Sequence, residues 1–389
     1  MSVFGIISEF NPLHLGHQYL IEAARERGAQ TVVCIMSGNT VQRGEFAVAD
    51  QYLRAESAIR AGADLVLSLP FPWCSASAEA FASAGIEIAR HFCDTLIFGS
   101  ECGDIEKLKK AASIVATEKF HAEFCSRLDE GKQAASAYHD LLREYGVQSL
   151  SSNDVLGVAY IRAAIELQAD LQFQTIARQG TAYTDQNLTE TQYPSAIALR
   201  NLWQNGNFEE SLSFVPPECA KLYQEARHDG RLIIPSALDA VWLSFFRLHH
   251  PDELAHCAGA EGGLAQRICS AANQATSTQE LIEMIRTKRY TDAHLRRTML
   301  FCLSNIRAED LKSLPTYTTL LAANERGCNL LKKKRKESVF PVVTKPANAP
   351  VDSMQFQSAQ RVDAVFSLAT TKRLPADAML THSPYIEKK

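Results

Sequence analysis

Two histidines, His14 and His17, lie three residues apart in a short segment, EFNPLHLGH, that also contains a proline and a glycine. The apolar run at residues 3–7 predicts a β-strand before this segment, and the amphipathic stretch at residues 17–27 predicts a helix after it. The N-terminus of such a helix attracts phosphate, because its N–H groups are unpaired and its dipole end is positive. Two imidazoles there can donate to the charge that develops on a phosphate under attack. The segment therefore predicts a phosphate-binding loop, although the motif alone also fits an ordinary strand–turn–helix.

The elements that must position these histidines follow an alternating pattern over the first two hundred residues. Buried-strand patterns, rich in β-branched and apolar residues, occur at residues 3–7, 31–36, 64–69, 95–98 and 171–177. Helical patterns occur at residues 17–27, 49–61, 77–91, 104–117, 122–145, 155–166 and 196–203. Strands separated by helices predict an α/β fold with a mostly parallel, Rossmann-like sheet and right-handed crossovers.

The second half of the chain has a different pattern of apolar residues. Strand patterns nearly disappear past residue 215, and helical periodicity continues to about residue 306. We therefore expect a catalytic α/β domain at residues 1–210 and a mainly helical domain at residues 211–389. Residues 317–344 add a short strand, a basic helix and a short strand, and the tail that begins at Pro346 is expected to fray at its end.

The composition restricts the class of protein. The 389 residues are 46% apolar and carry a formal net charge of −4, so any nucleic-acid surface must be a local basic patch. The ten cysteines form no CxxC pair, which argues against a zinc ribbon and a secreted disulfide framework and favours a cytoplasmic protein with reduced thiols. A signal peptide and a transmembrane helix are not expected, and neither a membrane nor DNA is an expected partner.

Several loops should meet where the parallel strands end, which is where open α/β sheets bind ligands. The second strand is followed by the polar stretch at residues 37–45, which contains Arg43 and is a candidate for a loop that closes over the site. Gly99 follows the fourth strand, and Arg178 follows the fifth. Ser195 opens a helix with Arg200 one and a half turns later, which is a second possible anion site. Ser195 and Asn153 are also good N-caps, so a purely structural role remains the alternative for each.

Six segments in order resemble one known family, the bacterial tRNA(Met) cytidine acetate ligases of the HxGH nucleotidyltransferase superfamily. The segments are EFNPLHLGH, SGNTVQRGE, GADLVLSLP, FGSECGD, SSNDVLG and SAIALR. The chain departs from the family pattern at Leu15, where asparagine is more usual, at Ile197, where threonine is usual, and at Phe46, which replaces a common proline. The phosphate binders that the family pattern requires are intact.

The resemblance implies an activity and a set of site residues. The activity is the ATP-dependent activation of acetate as acetyl-adenylate, followed by transfer of the acetyl group to the exocyclic amine of the wobble cytidine of elongator tRNA(Met). His14 and His17 would bind the α- and β-phosphates, and Ser195 and Arg200 the β- and γ-phosphates. The implied nucleotide-binding residues are Ile7, Asn11, His14, Gly16, His17, Leu20, Gly99, Asn153 and Arg178. Mg²⁺ is the expected counter-ion, held by phosphates and water, so no side-chain metal site is expected.

The RNA substrate requires local positive charge. The expected RNA-binding residues are Lys288, Arg289, Arg296 and Arg297. Tyr290 is a candidate for stacking on an unpaired base. The run at residues 332–336 is a second basic cluster, for which a solvated helix face is the plain interpretation.

Two other functions fit parts of the sequence. One is a nucleotidyltransferase that adenylylates a small phosphorylated metabolite, but that function gives the helical extension of roughly 180 residues no purpose. The other is a non-catalytic RNA-binding protein with a relict nucleotide fold, against which the intact His14, His17 and Arg200 argue.

Overall fold

The computed structural model describes residues 2–148, 150–178, 194–337 and 340–388, without the side chains of residues 129 and 347. The strands are Val3–Ser8 (β1), Thr31–Ser37 (β2), Thr40–Val41 (β3), Glu45–Phe46 (β4), Leu65–Leu69 (β5), Thr95–Ser100 (β6), Gln172–Ala177 (β7), Thr318–Ala323 (β8), Val342–Val343 (β9) and Tyr385–Ile386 (β10). The helices are Leu15–Glu26 (α1), Gln51–Arg60 (α2), Ala78–Phe92 (α3), Ile105–Val115 (α4), Glu118–Asp129 (α5), Ala134–Glu144 (α6), Ser152–Glu166 (α7), Ala196–Gln204 (α8), Phe208–Ser211 (α9), Pro217–His228 (α10), Asp239–Leu248 (α11), Pro251–Leu254 (α12), Leu264–Ala272 (α13), Thr278–Ile285 (α14), Asp292–Ser304 (α15), Glu325–Glu337 (α16), Met354–Ala369 (α17) and Ala378–Thr381 (α18).

The central sheet has the strand order β10-β8-β5-β2-β1-β6-β7, with β9 paired to β8. Strands β5, β2, β1, β6 and β7 are parallel, as the alternating sequence pattern predicts. The chain runs outward from β1 through β2 to β5, and then returns to the other side of β1 for β6 and β7. The crevice at the carboxyl ends of β1 and β6 is therefore the topological switch point, where ligands bind in folds of this type.

The sheet is covered on both faces, which explains why its strands are uninterrupted apolar runs. Alternate residues of β2 point to opposite faces: Val33 and Ile35 belong to one apolar cluster, and Val32 and Cys34 to the other. Helices α1, α2 and α10 pack on the second face, and α3 and α7 on the first. The first cluster continues into the helical region, where it includes Trp242. The predicted α/β fold class is confirmed.

One predicted helix, at residues 122–145, was wrong in extent. The structure divides this stretch and the residues before it into α5 and α6. Gly131 lies between them with a φ of +84°, a left-handed conformation that glycine adopts without strain. The two helices pack against each other, with Phe120 and Phe124 of α5 in contact with Tyr138 of α6, so both carry apolar residues and the pattern alone did not reveal the turn.

The C-terminal segment contributes to the central sheet. The predicted strand–helix–strand at residues 317–344 is present, and β8 pairs antiparallel with β5. The expectation that the tail frays at its end was wrong for the described residues, because β10 pairs with β8 there. Before it, residues 354–369 form α17, which buries Phe366. The sheet therefore draws strands from both sides of residue 210, and the division into domains at that point stays a prediction. Within the described residues, no helix is long and apolar enough to cross a membrane.

Candidate functional site

The predicted histidine loop lies at the switch point and begins helix α1. His14 is the N-cap of α1, and its Nδ1 accepts a hydrogen bond from the Gly16 amide at 3.1 Å. The His14 amide donates to His17 Nδ1 at 3.3 Å, and the centroids of the two rings are 3.9 Å apart. Because each Nδ1 is an acceptor, each neutral ring carries its proton on Nε2. The loop therefore holds two imidazole N–H donors side by side.

The electrostatic environment keeps both imidazoles neutral. Burial lowers the pKa of His14 to about 3, and the charges of Arg178 and Arg200 add to this effect. Burial also lowers the pKa of His17 well below its usual range, with further contributions from His14 and Arg178. At neutral pH the histidines are thus hydrogen-bond donors, and the two arginines supply the positive charge.

Partners from distant parts of the chain hold this loop in place. The backbone of buried Phe10 is left-handed, with a φ of +46°. Asn11 Oδ1 accepts from the Val48 amide at 2.8 Å, and the Leu13 amide donates to the Tyr223 hydroxyl at 3.2 Å. The Asn11 Nδ2 group is buried and has no hydrogen-bond partner within the described residues. It is therefore a donor that remains for a ligand, because buried polar groups are normally paired.

The turn at Ser195–Arg200 meets the histidine loop, as the two-helix phosphate site requires. Ser195 is the N-cap of α8, and its Oγ accepts from the Ala198 amide at 3.1 Å. Arg200 Nη1 donates to the Asn11 carbonyl at 2.8 Å, and Arg200 Nη2 lies 3.9 Å from Glu45 Oε2. The guanidinium is thus fixed against the backbone of the histidine loop.

Three predicted nucleotide binders meet at the carboxyl ends of β6 and β7. A Cβ atom on Gly99 would lie 3.1 Å from Arg178 Cγ, so the arginine side chain lies across the glycine. Glu101 Oε1 accepts from Asn153 Nδ2 at 2.5 Å and lies 4.0 Å from Arg178 Nε. Glu101 Oε2 also accepts from the Asp154 amide at 3.2 Å, at the start of α7. Glu101, to which the sequence analysis gave no role, links Asn153 with Arg178.

Two apolar residues of the predicted site, Ile7 and Leu20, have side chains that pack against neighbouring elements. A Cβ atom on Gly85 would lie 2.7 Å from Ile7 Cδ1, so the Ile7 side chain packs against helix α3. Leu20 is half-buried and packs against the apolar cluster on the face of the sheet that α1 covers. We therefore expect the main chain of Ile7 to be the part available to a nucleotide. The roles of all the predicted site residues stay predictions.

Sequence reasoning missed Arg54, a fully buried arginine of α2. Its guanidinium donates to the carbonyls of Glu9 at 2.6 Å, Ala49 at 2.9 Å and Ser37 at 3.2 Å, and also to that of Gly38. Burial lowers its pKa to about 10, so it remains charged at neutral pH. Arg54 ties the loop after β1 to the loop after β2. Its helix also contains Glu56 and a second arginine, Arg60, so no signal in the sequence marked Arg54 as the buried one.

The polar stretch after β2 is a β-hairpin, formed by β3 and β4, that packs against the start of α15. Arg297 Nη1 donates to the Gln42 carbonyl at 3.3 Å, and Arg296 Nη1 lies 3.3 Å from Glu45 Oε1. A Cβ atom on Gly44, whose φ is +75°, would lie 2.5 Å from the Arg297 amide nitrogen. Arg296 and Arg297, two of the four predicted RNA-binding residues, therefore also hold this hairpin. Burial lowers the pKa of Arg297 to about 10.

The other two, Lys288 and Arg289, are exposed and lie just before α15. The Lys288 carbonyl accepts from Gln133 Nε2, at the turn between α5 and α6. The Tyr290 ring is stacked on His294, with centroids 4.8 Å apart, and the Arg289 guanidinium lies 5.4 Å from the ring centre. Stacking of Tyr290 on a base therefore stays a prediction, and the exposed charges of Lys288 and Arg289 are the part of this surface most open to RNA.

The second basic cluster, at residues 332–336, lies in the second half of α16. Burial lowers the pKa of His91, hydrogen bonding to Glu87 opposes this effect, and the Lys334 charge lowers the pKa further. His91 is close to the end of α3, just before β6 begins. Lys334 therefore lies near the end of α3, where the chain leads into β6.

Comparison with known proteins gives the family of the chain. The model of a family described as HIGH nucleotidyl transferase matches residues 1–379. A tRNA(Met) cytidine acetate ligase of Acetivibrio thermocellus is 33% identical over an alignment of 367 positions, which covers 89% of this chain and 88% of that protein. The crystal structure of apo Thermotoga maritima TmcAL superimposes with a TM-score of 0.91 and 29% identity over 99% of this chain and 100% of that one. A second structure of that protein, bound with alpha-thio ATP, gives a TM-score of 0.89 and 28% identity over the same shares.

These similarities extend over nearly the whole length of the chain and of the proteins that it matches. They also agree with the resemblance carried by six segments of the sequence. The chain belongs to the tRNA(Met) cytidine acetate ligase family, within the HIGH nucleotidyl transferases.

Proposed function

We propose that this protein activates acetate with ATP as acetyl-adenylate and transfers the acetyl group to the N4 amine of the wobble cytidine of elongator tRNA(Met), giving N4-acetylcytidine. The names of its relatives support a ligase that acts on tRNA(Met), and the alpha-thio ATP bound to the Thermotoga protein supports ATP as the co-substrate. The observation that carries the proposal is the pair of neutral imidazoles at the switch point, flanked by two arginines.

In the first half-reaction, an acetate oxygen attacks the α-phosphorus of ATP, and the bond from that phosphorus to the pyrophosphate oxygen breaks. The residues at the switch point bind and orient the triphosphate rather than react covalently. The Nε2–H groups of His14 and His17 donate to the α- and β-phosphates, where negative charge grows. Arg200, held on the Asn11 carbonyl, and the α8 N-terminus at Ser195 bind the β- and γ-phosphates. Such positioning and charge stabilisation carry most of the catalysis in reactions of this type.

The rest of the nucleotide lies between β1 and β6 in this proposal. Gly99 leaves room for the Arg178 side chain that lies across it, and Asn153 at the start of α7 and Arg178 after β7, both in contact with Glu101, bind the nucleoside. Mg²⁺ fits as a counter-ion that phosphate oxygens and water hold, which requires no cage of side chains. Within the described residues, no group of three or more His, Cys, Asp or Glu side chains is placed to hold a metal ion.

In the second half-reaction, the N4 amine of the cytidine attacks the carbonyl carbon of the acetyl group. A C–N bond forms, the bond to the AMP oxygen breaks, and the amine loses one proton. The basic surface at Lys288 and Arg289 would bind the backbone of the RNA, and its position beyond the hairpin supports an approach to the carboxyl edge of the sheet. We place this reaction in the cytoplasm, where tRNA is modified.

The test is a single assay with purified protein, ATP, labelled acetate and bulk tRNA, followed by digestion of the RNA to nucleosides. Label in N4-acetylcytidine, dependent on ATP, is the expected result. Turnover of ATP on a small phosphorylated metabolite, without label in RNA, would instead support the metabolite nucleotidyltransferase. Binding of RNA without turnover of ATP would support the non-catalytic alternative.

A further inference from the structure

The hairpin of β3 and β4 connects the two halves of the proposed reaction. On one side, the Gln42 amide donates to Glu9 Oε1 at 2.9 Å, which joins the hairpin to the histidine loop. On the other side, Gly44 and the Gln42 carbonyl pack against Arg297 at the start of α15. The hairpin is therefore fixed to both the phosphate site and the predicted RNA surface.

Glu45, in β4 of this hairpin, places one carboxylate between two arginines. Its Oε2 lies 3.9 Å from Arg200 Nη2, and its Oε1 lies 3.3 Å from Arg296 Nη1. Arg200 is the proposed ligand of the β- and γ-phosphates, and Arg296 is a proposed ligand of RNA. The Glu45 carboxylate is thus close to two guanidinium groups that are each expected to bind phosphate.

Phosphate at either arginine changes the charge balance at the other. A triphosphate on Arg200 repels the Glu45 carboxylate, which then remains with Arg296 and competes there with an RNA phosphate. When pyrophosphate leaves, Arg200 attracts Glu45 again, and Arg296 becomes available to RNA. The Glu45 side chain is 32% exposed, so water weakens these charge interactions without removing them.

We infer that Glu45 is a positioning residue, a shared counter-ion of Arg200 and Arg296, that makes the binding of a triphosphate and the binding of tRNA mutually unfavourable. RNA is then bound more tightly after pyrophosphate has left, when acetyl-adenylate is ready. This inference rests on the proposed function for the identity of the two ligands. By thermodynamic linkage, each ligand must weaken the other by the same factor.

The experiment measures the affinity of the full-length protein for an unmodified tRNA(Met) transcript by fluorescence anisotropy, alone and with a saturating nucleotide. With α,β-methylene ATP, which cannot release pyrophosphate, we expect the dissociation constant of the tRNA to rise about fivefold, within the usual range of coupling between sites. With AMP, which lacks the β- and γ-phosphates, we expect no change. In Glu45→Gln, which keeps the shape of the side chain, the effect of α,β-methylene ATP should disappear, and each ligand alone should bind as tightly as before or more tightly.

Two further variants separate this coupling from general loss of structure. Arg296→Gln removes one of the two partners and should also abolish the coupling. Glu166→Gln is the matched control, because Glu166 pairs with Arg162 at the end of α7 rather than with Arg200 or Arg296, and it should retain the fivefold effect. Thermal melting of every variant is recorded in parallel.

The inference is overturned if tRNA affinity in the wild-type protein does not respond to α,β-methylene ATP, or if Glu45→Gln retains the full effect. It is also overturned if Glu45→Gln weakens both ligands and lowers the melting temperature, because the carboxylate would then only hold the hairpin. These measurements involve no acetate. A failure of acetylation with the coupling intact would therefore contradict the proposed function alone.

Discussion

The nucleotide site and the basic surface before α15 are built in opposite ways. The core of the first is buried at Asn11, His14 and Ser195 and is interlocked, since the histidine loop alone has hydrogen-bonded partners in α10 and α8 and in the segment before α2. The outer part of the second, Lys288 and Arg289, consists of exposed side chains on a short connection between helices. One region is held in a fixed geometry, whereas the other presents charge to solvent.

This difference follows from what each region is proposed to do. Transfer at phosphorus requires donors that are already in position, because reorganising them during the reaction would add to the barrier. A contact with the phosphate backbone of RNA gains its free energy from the release of counter-ions and tolerates mobile side chains. The two regions should therefore respond differently to the same kind of substitution.

The largest expected effect is that of His17→Ala on the first half-reaction. The substitution removes one of the two Nε2–H donors, and loss of one such donor typically lowers kcat about 100- to 1000-fold. Acetate-dependent exchange of pyrophosphate into ATP measures this step. The affinity for tRNA should stay within about twofold of the wild-type value. His250→Ala, at an exposed position, is the matched control. If His17→Ala lowered the pyrophosphate exchange and the affinity for tRNA equally, His17 would be a structural residue.

A second comparison makes the same change, arginine to methionine, once in each region. Arg54→Met leaves the carbonyls around the buried guanidinium without donors, and we expect it to lower the free energy of unfolding by roughly 3 kcal/mol. Arg289→Met removes an exposed charge and should change the free energy of unfolding by less than about 0.5 kcal/mol. Denaturant unfolding of the two variants measures both values. Similar values for the two would contradict the view that only the nucleotide site is held by buried contacts.

The same contrast explains what the sequence could predict. The strands were predictable because both faces of the sheet are covered, which requires continuous apolar runs such as the one at residues 31–36. The histidine loop and the Ser195–Arg200 turn were predictable because parallel strands and helix N-termini bring their loops to one edge. These features depend on local pattern and on rules of chain topology.

The features that were missed depend on contacts between distant residues. The hydrogen bond from Leu13 to Tyr223 joins positions 210 residues apart, and no local pattern records it. The four carbonyls that Arg54 binds carry no sequence signal either, because every residue has a carbonyl. The pairing of β8 with β5 was missed for a similar reason, since a short strand in a helical region does not reveal which edge it will join.

The smallest expected effect, and the sharpest test of the second region, is a double charge reversal, Lys288→Glu with Arg289→Glu. Two phosphate contacts would be lost, so the slope of log affinity for tRNA against log salt should fall by about 2, and the affinity at moderate salt should fall roughly tenfold. Formation of acetyl-adenylate should stay within about twofold, because neither residue is in contact with the histidine loop. Lys332→Glu with Arg335→Glu changes the net charge of the protein equally, but in α16 rather than before α15, and should leave the salt slope unchanged. If both pairs lowered the affinity alike, tRNA would be responding to total charge, and the surface before α15 would not be a specific binding region.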